Sequence, residues 1–189
     1  MDLGDAVISE LKVIGLDPGG TTGYCIVWVP RECIYDPRNT QPEILEVRTG
    51  EFGGDEVEQA RSISGLCRST QGLDYMVGPA LVIEDWDIEH TNRTSDPEML
   101  SPVRITAMLR YAKMRKELLD SRIVMQKRKL AKETFTDERL HAAHMYTKGS
   151  DHIRDATRHA LTALRRARAD KEFRQVMWLN DSVERRFYD

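Results

Sequence analysis

Near the amino terminus, a short apolar segment ends in one carboxylate and is followed at once by a glycine-rich turn. The segment spans residues 12–17 (KVIGLD), and the turn spans residues 18–23 (PGGTTG). Such a segment is too short for a typical helix and almost continuously apolar, so it predicts a strand buried on both faces of a sheet. The carboxylate of Asp17 at its end needs a cation or hydrogen-bond donors, because an unpaired buried charge is costly. Asp17 is therefore either a metal ligand or a structural residue bonded to the turn amides.

Length and cysteine content favour one α/β domain in a reducing compartment. A chain of 189 residues can bury one good core but not two domains with separate sheets. The three cysteines lack CxxC spacing, and the amino terminus lacks a basic segment followed by an apolar stretch, so neither a disulfide framework nor secretion is indicated. No apolar stretch approaches the length of a membrane span. We expect a cytoplasmic protein that does not enter a membrane.

The pattern of apolar residues predicts the element order β-β-β-α-β-α-β-α-α. The predicted strands span residues 12–17, 24–29, 43–52, 80–83 and 122–126, and the predicted helices span residues 55–67, 103–119, 136–146 and 151–168. Residues 31–42 indicate an exposed hairpin loop, and residues after Asp170 an appended helix or a tail. This order predicts a mixed five-stranded sheet, a three-strand antiparallel meander plus parallel strands, flanked by helices. We expect a single domain over residues 1–189, with its core at 12–168 and an extension at 169–189.

Two of the buried strands end in an acid, Asp17 and Glu84. Parallel neighbouring strands would place both carboxylates at the same edge of the sheet. The last long helix adds His152 and Asp155, which share a face because they are three residues apart, and His159 follows four residues later. A histidine beside an apolar stripe is more often a core or surface residue than a ligand, but the combined oxygen-rich cluster suits Mg²⁺ or Mn²⁺. Two such ions ~3.5 to 4 Å apart can support cleavage of a phosphodiester.

Charge is distributed unevenly along the chain, although its formal net charge is only −3. Residues 84–98 hold six acidic side chains and one basic one, whereas residues 104–132 hold ten basic and two acidic ones. A charge run is usually a solvated helix face. A metal site that cleaves phosphodiesters needs acidic ligands beside a basic surface that binds phosphates. An acidic cluster followed by a basic block also fits that arrangement.

Several of these stretches together resemble the RuvC family of Holliday-junction resolvases, which have the ribonuclease H-like, retroviral-integrase superfold. The matching stretches are IGLDPG at 14–19, TGY at 22–24, LVIE at 81–84, HIRDA at 152–156 and AL at 160–161. The resemblance covers residues 12–168 and implies a dimeric, metal-dependent endonuclease that nicks two opposed strands of a four-way DNA junction, in a bacteriophage or divergent bacterial member. It implies that Asp17, Glu84 and Asp155 match the family's carboxylates, and His152 falls where members carry Asp or His.

The same resemblance implies roles for part of the basic block. Lys132 is the best match to the lysine that the family places near the scissile phosphate, and three further residues are implied phosphate contacts: Lys127, Arg128 and Lys129. Trp86 stands near the position of the family's aromatic residue that intrudes at the junction, at a slightly different offset. Residues 31–42, residues 85–98 and the tail after Asp170 are unlike compact members, which leaves the cutting of other branched DNA open.

Two other functions are compatible with the sequence. The turn at residues 17–23 also resembles the first phosphate loop of the actin-like sugar kinases, whose backbone amides hold ATP phosphates. That superfamily clamps its nucleotide between two such domains, and this chain has room for one. The second alternative is a non-catalytic module that binds branched DNA through the basic block. Cleavage of a four-way junction with and without Mg²⁺, beside an ATPase assay, separates all three.

A homodimer is expected because two symmetric nicks require two active sites related by a twofold axis. The predicted helix at residues 103–119 has more apolar positions than one buried stripe needs, which makes it the candidate interface. Those positions are Val103, Met108, Leu109, Tyr111, Ala112 and Met114.

Overall fold

A mixed five-stranded sheet forms the centre of the computed structural model, which describes residues 10–35, 43–70, 78–86, 100–118 and 121–178. The strands are β1 (Glu10–Asp17), β2 (Thr22–Pro30), β3 (Glu46–Phe52), β4 (Ala80–Asp85) and β5 (Arg122–Lys127). Their order in the sheet is β3-β2-β1-β4-β5. The first three strands form an antiparallel meander, and β4 and β5 run parallel to β1. This is the predicted sheet.

Seven described helices pack on the sheet or at its ends. They are α1 (Arg31–Tyr35), α2 (Glu56–Ser69), α3 (Ser101–Met114), α4 (Arg128–Thr134), α5 (Asp137–Ala142), α6 (Asp151–Ala169) and α7 (Lys171–Trp178). No described helix is long and apolar enough to span a bilayer.

The sheet separates two apolar cores because successive side chains of a strand point to opposite faces. Val13 lies in the core that contains α6 and α7, and the next residue, Ile14, lies in the core that contains α2 and α3. Both side chains are fully buried. The nearly continuous apolarity of β1 follows from this double burial.

Two glycines allow α6 to lie directly against the backbone of β1 and β2. A Cβ atom at Gly15 would lie 2.1 Å from the carbonyl oxygen of Ala156, and a Cβ atom at Gly23 would lie 2.3 Å from that of His152. Any larger residue at either position would push the helix away from the sheet. The amino-terminal half of α6, including Asp155, is therefore placed by contact between backbones.

The predicted exposed loop at residues 31–42 is wrong for its first part. Residues 31–35 form α1, in which Arg31, Cys33 and Ile34 are buried. The helix packs against α6 and β2, and Arg174 of α7 donates to the Ile34 carbonyl oxygen at 2.8 Å and lies over the Tyr35 ring at 4.8 Å. Residues 36–42 lie outside the described residues.

Other boundaries differ from the prediction in smaller ways. Within the described residues, the helix predicted at 103–119 spans Ser101–Met114, and the helix predicted at 136–146 ends at Ala142. The region after β5 forms a short helix, α4, that was not predicted, and the appended helix after Asp170 is α7. Residues 87–98 of the acidic segment, residues 119–120 and residues 179–189 of the extension lie outside the described part of the chain.

Candidate metal centre

Three carboxylates from three different elements meet at one edge of the sheet. Leu16 of β1 pairs with Ile83 of β4 in a parallel register, so the next residues, Asp17 and Glu84, emerge side by side. Asp155 reaches them from α6. One oxygen of each carboxylate lies within 4.8 Å of the others, and all three residues are at most 7% exposed.

Burial and mutual repulsion shape the charge of this cluster. Burial, followed by a hydrogen bond with Glu84 and repulsion from its charge, raises the pKa of Asp17 to about 7, and the hydrogen bond with His152 only partly opposes this. Burial also acts to raise the pKa of Glu84, but hydrogen bonds with His159 and Asp17 outweigh it and the net pKa is lowered. One carboxyl of the cluster thus holds a proton near neutral pH.

A divalent cation fits this donor set. The three carboxylates offer hard oxygen ligands, which suit Mg²⁺ or Mn²⁺. Asp17, Glu84 and Asp155 would hold such an ion through one carboxylate oxygen each. A cation there would also replace the proton on Asp17, since burial and the neighbouring Glu84 raise the pKa of that carboxyl and a positive charge opposes both effects.

His152 lies at the edge of the cluster. Its Nδ1 is 2.8 Å from Oδ2 of Asp17, and its side chain is about half exposed. Among the predicted ligands, the structure brings the three carboxylates together and places His152 beside only one of them.

Two basic residues of α4 cover the cluster on its solvent side. Lys132 Nζ and Arg128 Nη2 both lie 3.0 Å from Oδ2 of Asp155, and Arg128 Nε lies 3.9 Å from Oε2 of Glu84. The two residues share a helix face because they are four positions apart. Together with Arg158, they lower the pKa of Asp155 against the opposing effect of its burial.

The other predicted DNA contacts are Lys127, Lys129 and Trp86. Lys127 is exposed at the end of β5, and Lys129 is exposed on α4, where it pairs with Glu133 at 3.8 Å. Trp86 is partly buried and directly follows β4, two residues after Glu84.

Arg158 is a residue of the site that sequence reasoning missed. One Nη atom contacts Oδ1 of Asp155, the other contacts Asp137, and Nε donates to the Phe135 carbonyl oxygen at 3.0 Å. The side chain is 10% exposed. Arg158 therefore fixes Oδ1 of Asp155 from the protein side, and Oδ2 is the oxygen that Lys132 and Arg128 contact. Its spacing of three residues from Asp155 on a predicted helix was the available signal.

A second layer of side chains lies behind Glu84: His159, which the sequence places on the same helix as Asp155, and Gln126, which sequence reasoning missed. Nε2 of His159 is 3.4 Å from Oε2 of Glu84, and Nδ1 of His159 is 3.0 Å from Nε2 of Gln126. The Gln126 amide also donates to the His159 carbonyl oxygen at 3.3 Å, which orients its NH₂ group toward the histidine. His159 then accepts at Nδ1 and donates from Nε2 to Glu84. Such partners fix the orientation of a carboxylate ligand.

The glycine-rich turn after Asp17 is held by Gln59 of α2. The Gln59 amide donates to the carbonyl oxygens of Gly20 at 3.0 Å and Gly54 at 2.9 Å, and its own carbonyl accepts from the Thr22 hydroxyl. Gln59 is 1% exposed, so these bonds lie in the interior. The turn is therefore fixed by side-chain bonds from a neighbouring helix.

The metal-free protein is expected to lose stability as pH rises from 3.8 to about 7, the ordinary and the raised pKa of Asp17. In that window the unfolded chain has ionised Asp17 while the folded chain keeps it protonated, so a rise in pH favours unfolding. The lowered pKa values of Glu84 and Asp155 have the opposite effect on stability. They lower it as pH falls, and only at acid pH, where these carboxylates become protonated. Thermal unfolding in EDTA across this range checks the effect: the Tm of Asp17→Asn minus that of wild type should widen with pH. A pH-independent difference would contradict the raised pKa.

No protein-family model and no curated protein matches this chain. Among solved structures, it is similar to Thermus thermophilus RuvC, with a TM-score of 0.56 and 14% identity over 89% of this chain and 100% of that one. It is also similar to Thermus thermophilus RuvC in complex with a Holliday junction substrate, with a TM-score of 0.55 and 14% identity over 89% of this chain and 99% of that one. The chain therefore has the ribonuclease H-like fold of RuvC, and the predicted fold class is confirmed.

Proposed function

We propose that this protein is a metal-dependent, structure-selective endonuclease that resolves four-way DNA junctions by paired nicks. The observation that carries the proposal is the buried cluster of Asp17, Glu84 and Asp155, with Lys132 on its solvent side. A cluster of three acids is suited to divalent cations, and an adjacent lysine is suited to a phosphate group. The fold shared with a RuvC structure that contains a Holliday junction supports DNA as the substrate.

Each residue of the cluster has a distinct part in this proposal. Asp17, Glu84 and Asp155 would hold Mg²⁺ or Mn²⁺, with His152 beside Asp17 as a further candidate ligand. When bound, such ions activate a water and stabilise the leaving oxygen of a phosphodiester. The ammonium group of Lys132, whose side chain is 45% exposed, would donate to a non-bridging oxygen of the scissile phosphate.

Cleavage of a labelled four-way junction tests the proposal directly. We expect paired nicks in Mg²⁺ or Mn²⁺, no nicks in EDTA, and much slower cutting of a linear duplex of the same sequence. Binding without cutting in either metal would favour the non-catalytic module. Hydrolysis of ATP without any cleavage would favour the kinase-like alternative.

Lys132 is expected to differ from Lys127 and Lys129 in what its removal changes. Lys132→Ala should lower the cleavage rate at saturating junction by roughly tenfold to a hundredfold, because it removes a charged donor beside the reacting phosphate. Lys127→Ala and Lys129→Ala should mainly weaken binding and each lower the slope of log affinity against log salt by about one unit. Affinity across a salt series and single-turnover rates measure the two effects. Unchanged salt slopes for both outer lysines would show that they are solvated surface charges.

We propose a homodimer whose interface includes α3. Leu109 lies in the protomer's own core, so this part of the predicted interface is not available, whereas Tyr111 and Met114 are 58% and 72% exposed. With α2, Tyr111 borders a groove of about 490 Å³. Sedimentation should show a dimer at micromolar concentration, and Met114→Glu should shift the protein toward monomer. Monomers at concentrations that give paired nicks would contradict the dimer.

A further inference from the structure

Arg128 contacts two carboxylates of the cluster although about half of its side chain is exposed to solvent. Its Nη2 is 3.0 Å from Oδ2 of Asp155 and its Nε is 3.9 Å from Oε2 of Glu84. Arg158, which contacts the other oxygen of Asp155, is almost fully buried. Arg128 is thus a counter-ion on the open side of the cluster, where it can exchange partners without unfolding the core.

The helix that carries Arg128 gives it no local stabilisation. Lys127, Arg128 and Lys129 lie at the amino-terminal end of α4, where the helix dipole disfavours positive charge. The first turn has no acidic residue, and the Lys127 side chain makes no capping hydrogen bond. The negative charge next to this helix end comes from Glu84 and Asp155, so the position of Arg128 depends on the carboxylate cluster.

We propose that Arg128 is an internal counter-ion that competes with divalent cations for the cluster and moves to a DNA phosphate when the substrate binds. The guanidinium group and a cation would use the same oxygen, Oδ2 of Asp155, and two positive charges on one carboxylate repel each other. A phosphate offers the guanidinium group two oxygens of one partner, in place of single contacts with Asp155 at 3.0 Å and Glu84 at 3.9 Å. A bound cation would release Arg128 for a phosphate, and bound DNA would draw Arg128 away from the carboxylates. Metal and DNA then bind cooperatively. The DNA half of this inference rests on the proposed function, whereas the competition with cations does not.

Binding of Mn²⁺ to the protein alone tests the competition, measured by the electron paramagnetic resonance of free Mn²⁺. Arg128→Gln should tighten Mn²⁺ binding about fivefold, the equivalent of removing one partly exposed ion pair. Arg128→Lys, which keeps the charge, should stay close to wild type. Lys129→Gln is the matched control, because it removes one charge from the same helix at a residue that pairs with Glu133.

The outcomes of this measurement are decisive in both directions. Tighter Mn²⁺ binding by Arg128→Gln alone supports the proposal, and equal effects of Arg128→Gln and Lys129→Gln overturn it. If Arg128→Gln does not fold, as judged by circular dichroism, Arg128→Lys decides. Because Arg128→Lys keeps the charge, its Mn²⁺ affinity should then stay near wild type. If it changes as much as that of Lys129→Gln, the effect at position 128 does not come from charge and the proposal is overturned.

A second measurement tests the exchange with DNA. Junction affinity is compared in Ca²⁺ and in EDTA, with the DNA shown to be intact on a denaturing gel. Ca²⁺ should tighten junction binding by wild type, and this gain should be about fivefold smaller in Arg128→Gln, because the guanidinium group that the cation displaces in wild type is gone while Lys132 is present in both proteins. Equal gains overturn the exchange. Failure of every variant to bind the junction overturns the proposed function, while the Mn²⁺ measurement still decides the competition.

Discussion

Asp17→Asn is expected to lower the junction-nicking rate by roughly a thousandfold, since it removes a metal ligand and changes to outer-shell partners alone typically cost 10–100-fold. The amide keeps the shape of the side chain but loses the charge that a cation requires. The fold should be retained, and the metal-free variant should unfold at a higher temperature than wild type near pH 7, because the amide cannot ionise, whereas burial and the neighbouring Glu84 oppose ionisation of the Asp17 carboxyl.

Asp85→Asn is the matched control for this prediction. Asp85 is also an acid at the end of β4, directly after Glu84, but its side chain is exposed. The same chemical change there should leave the nicking rate and the Mn²⁺ affinity near the wild-type values. An Asp17→Asn variant that nicks junctions within about tenfold of wild type would contradict the assignment of Asp17 as a ligand.

Gly15→Ala is expected to destabilise the protein by about 3 kcal/mol, the upper end of what overpacking typically costs. The new Cβ would lie 2.1 Å from the backbone oxygen of Ala156, and a helix backbone cannot rotate out of the way as a side chain can. For a chain of this size the Tm should fall by roughly 6 to 12 °C. Because α6 must move, Asp155 should leave the cluster, and Mn²⁺ affinity should fall with the stability.

Gly65→Ala provides the control with the opposite sign. Gly65 lies inside α2, and a Cβ atom there would meet nothing within 4 Å. Replacing a glycine in a helix interior with alanine should stabilise the protein by up to about 1 kcal/mol. Denaturant unfolding of both variants measures the contrast. A Gly15→Ala variant as stable as Gly65→Ala would show that α6 does not need backbone contact with β1.

The sheet, and the proximity of Asp17 and Glu84 at its edge, were predictable from the sequence. A strand that is buried on both faces of a sheet is a continuous apolar run. Residues 12–17 and 80–85 each show such a run ending in an acid, and a parallel register then fixes which side chains meet. The place of Asp155 was predictable because the residues around it show the apolar spacing of an amphipathic helix, and Asp155 lies near the start of that helix.

The helix α4 was not predictable from local rules. Its sequence begins with basic residues and lacks an acidic first turn or a capping side chain, so local propensity argues against a helix start at Arg128. Tertiary contacts override this preference: Ala131 is buried, and Arg128 and Lys132 reach Asp155. The pairing of Gln126 with His159 was equally hidden, because it depends on how β5 and α6 lie in three dimensions.

The contact of α6 with Gly15 and Gly23 has a consequence for how such a protein can diverge. At these two points no side chain separates the helix from β1 and β2, so the spacing is set by peptide atoms that are the same in every sequence. Exchanges among the apolar residues elsewhere alter local volume without changing that spacing. The helix that carries Asp155 can therefore keep its distance from the sheet while most of the surrounding core residues are exchanged for other apolar residues.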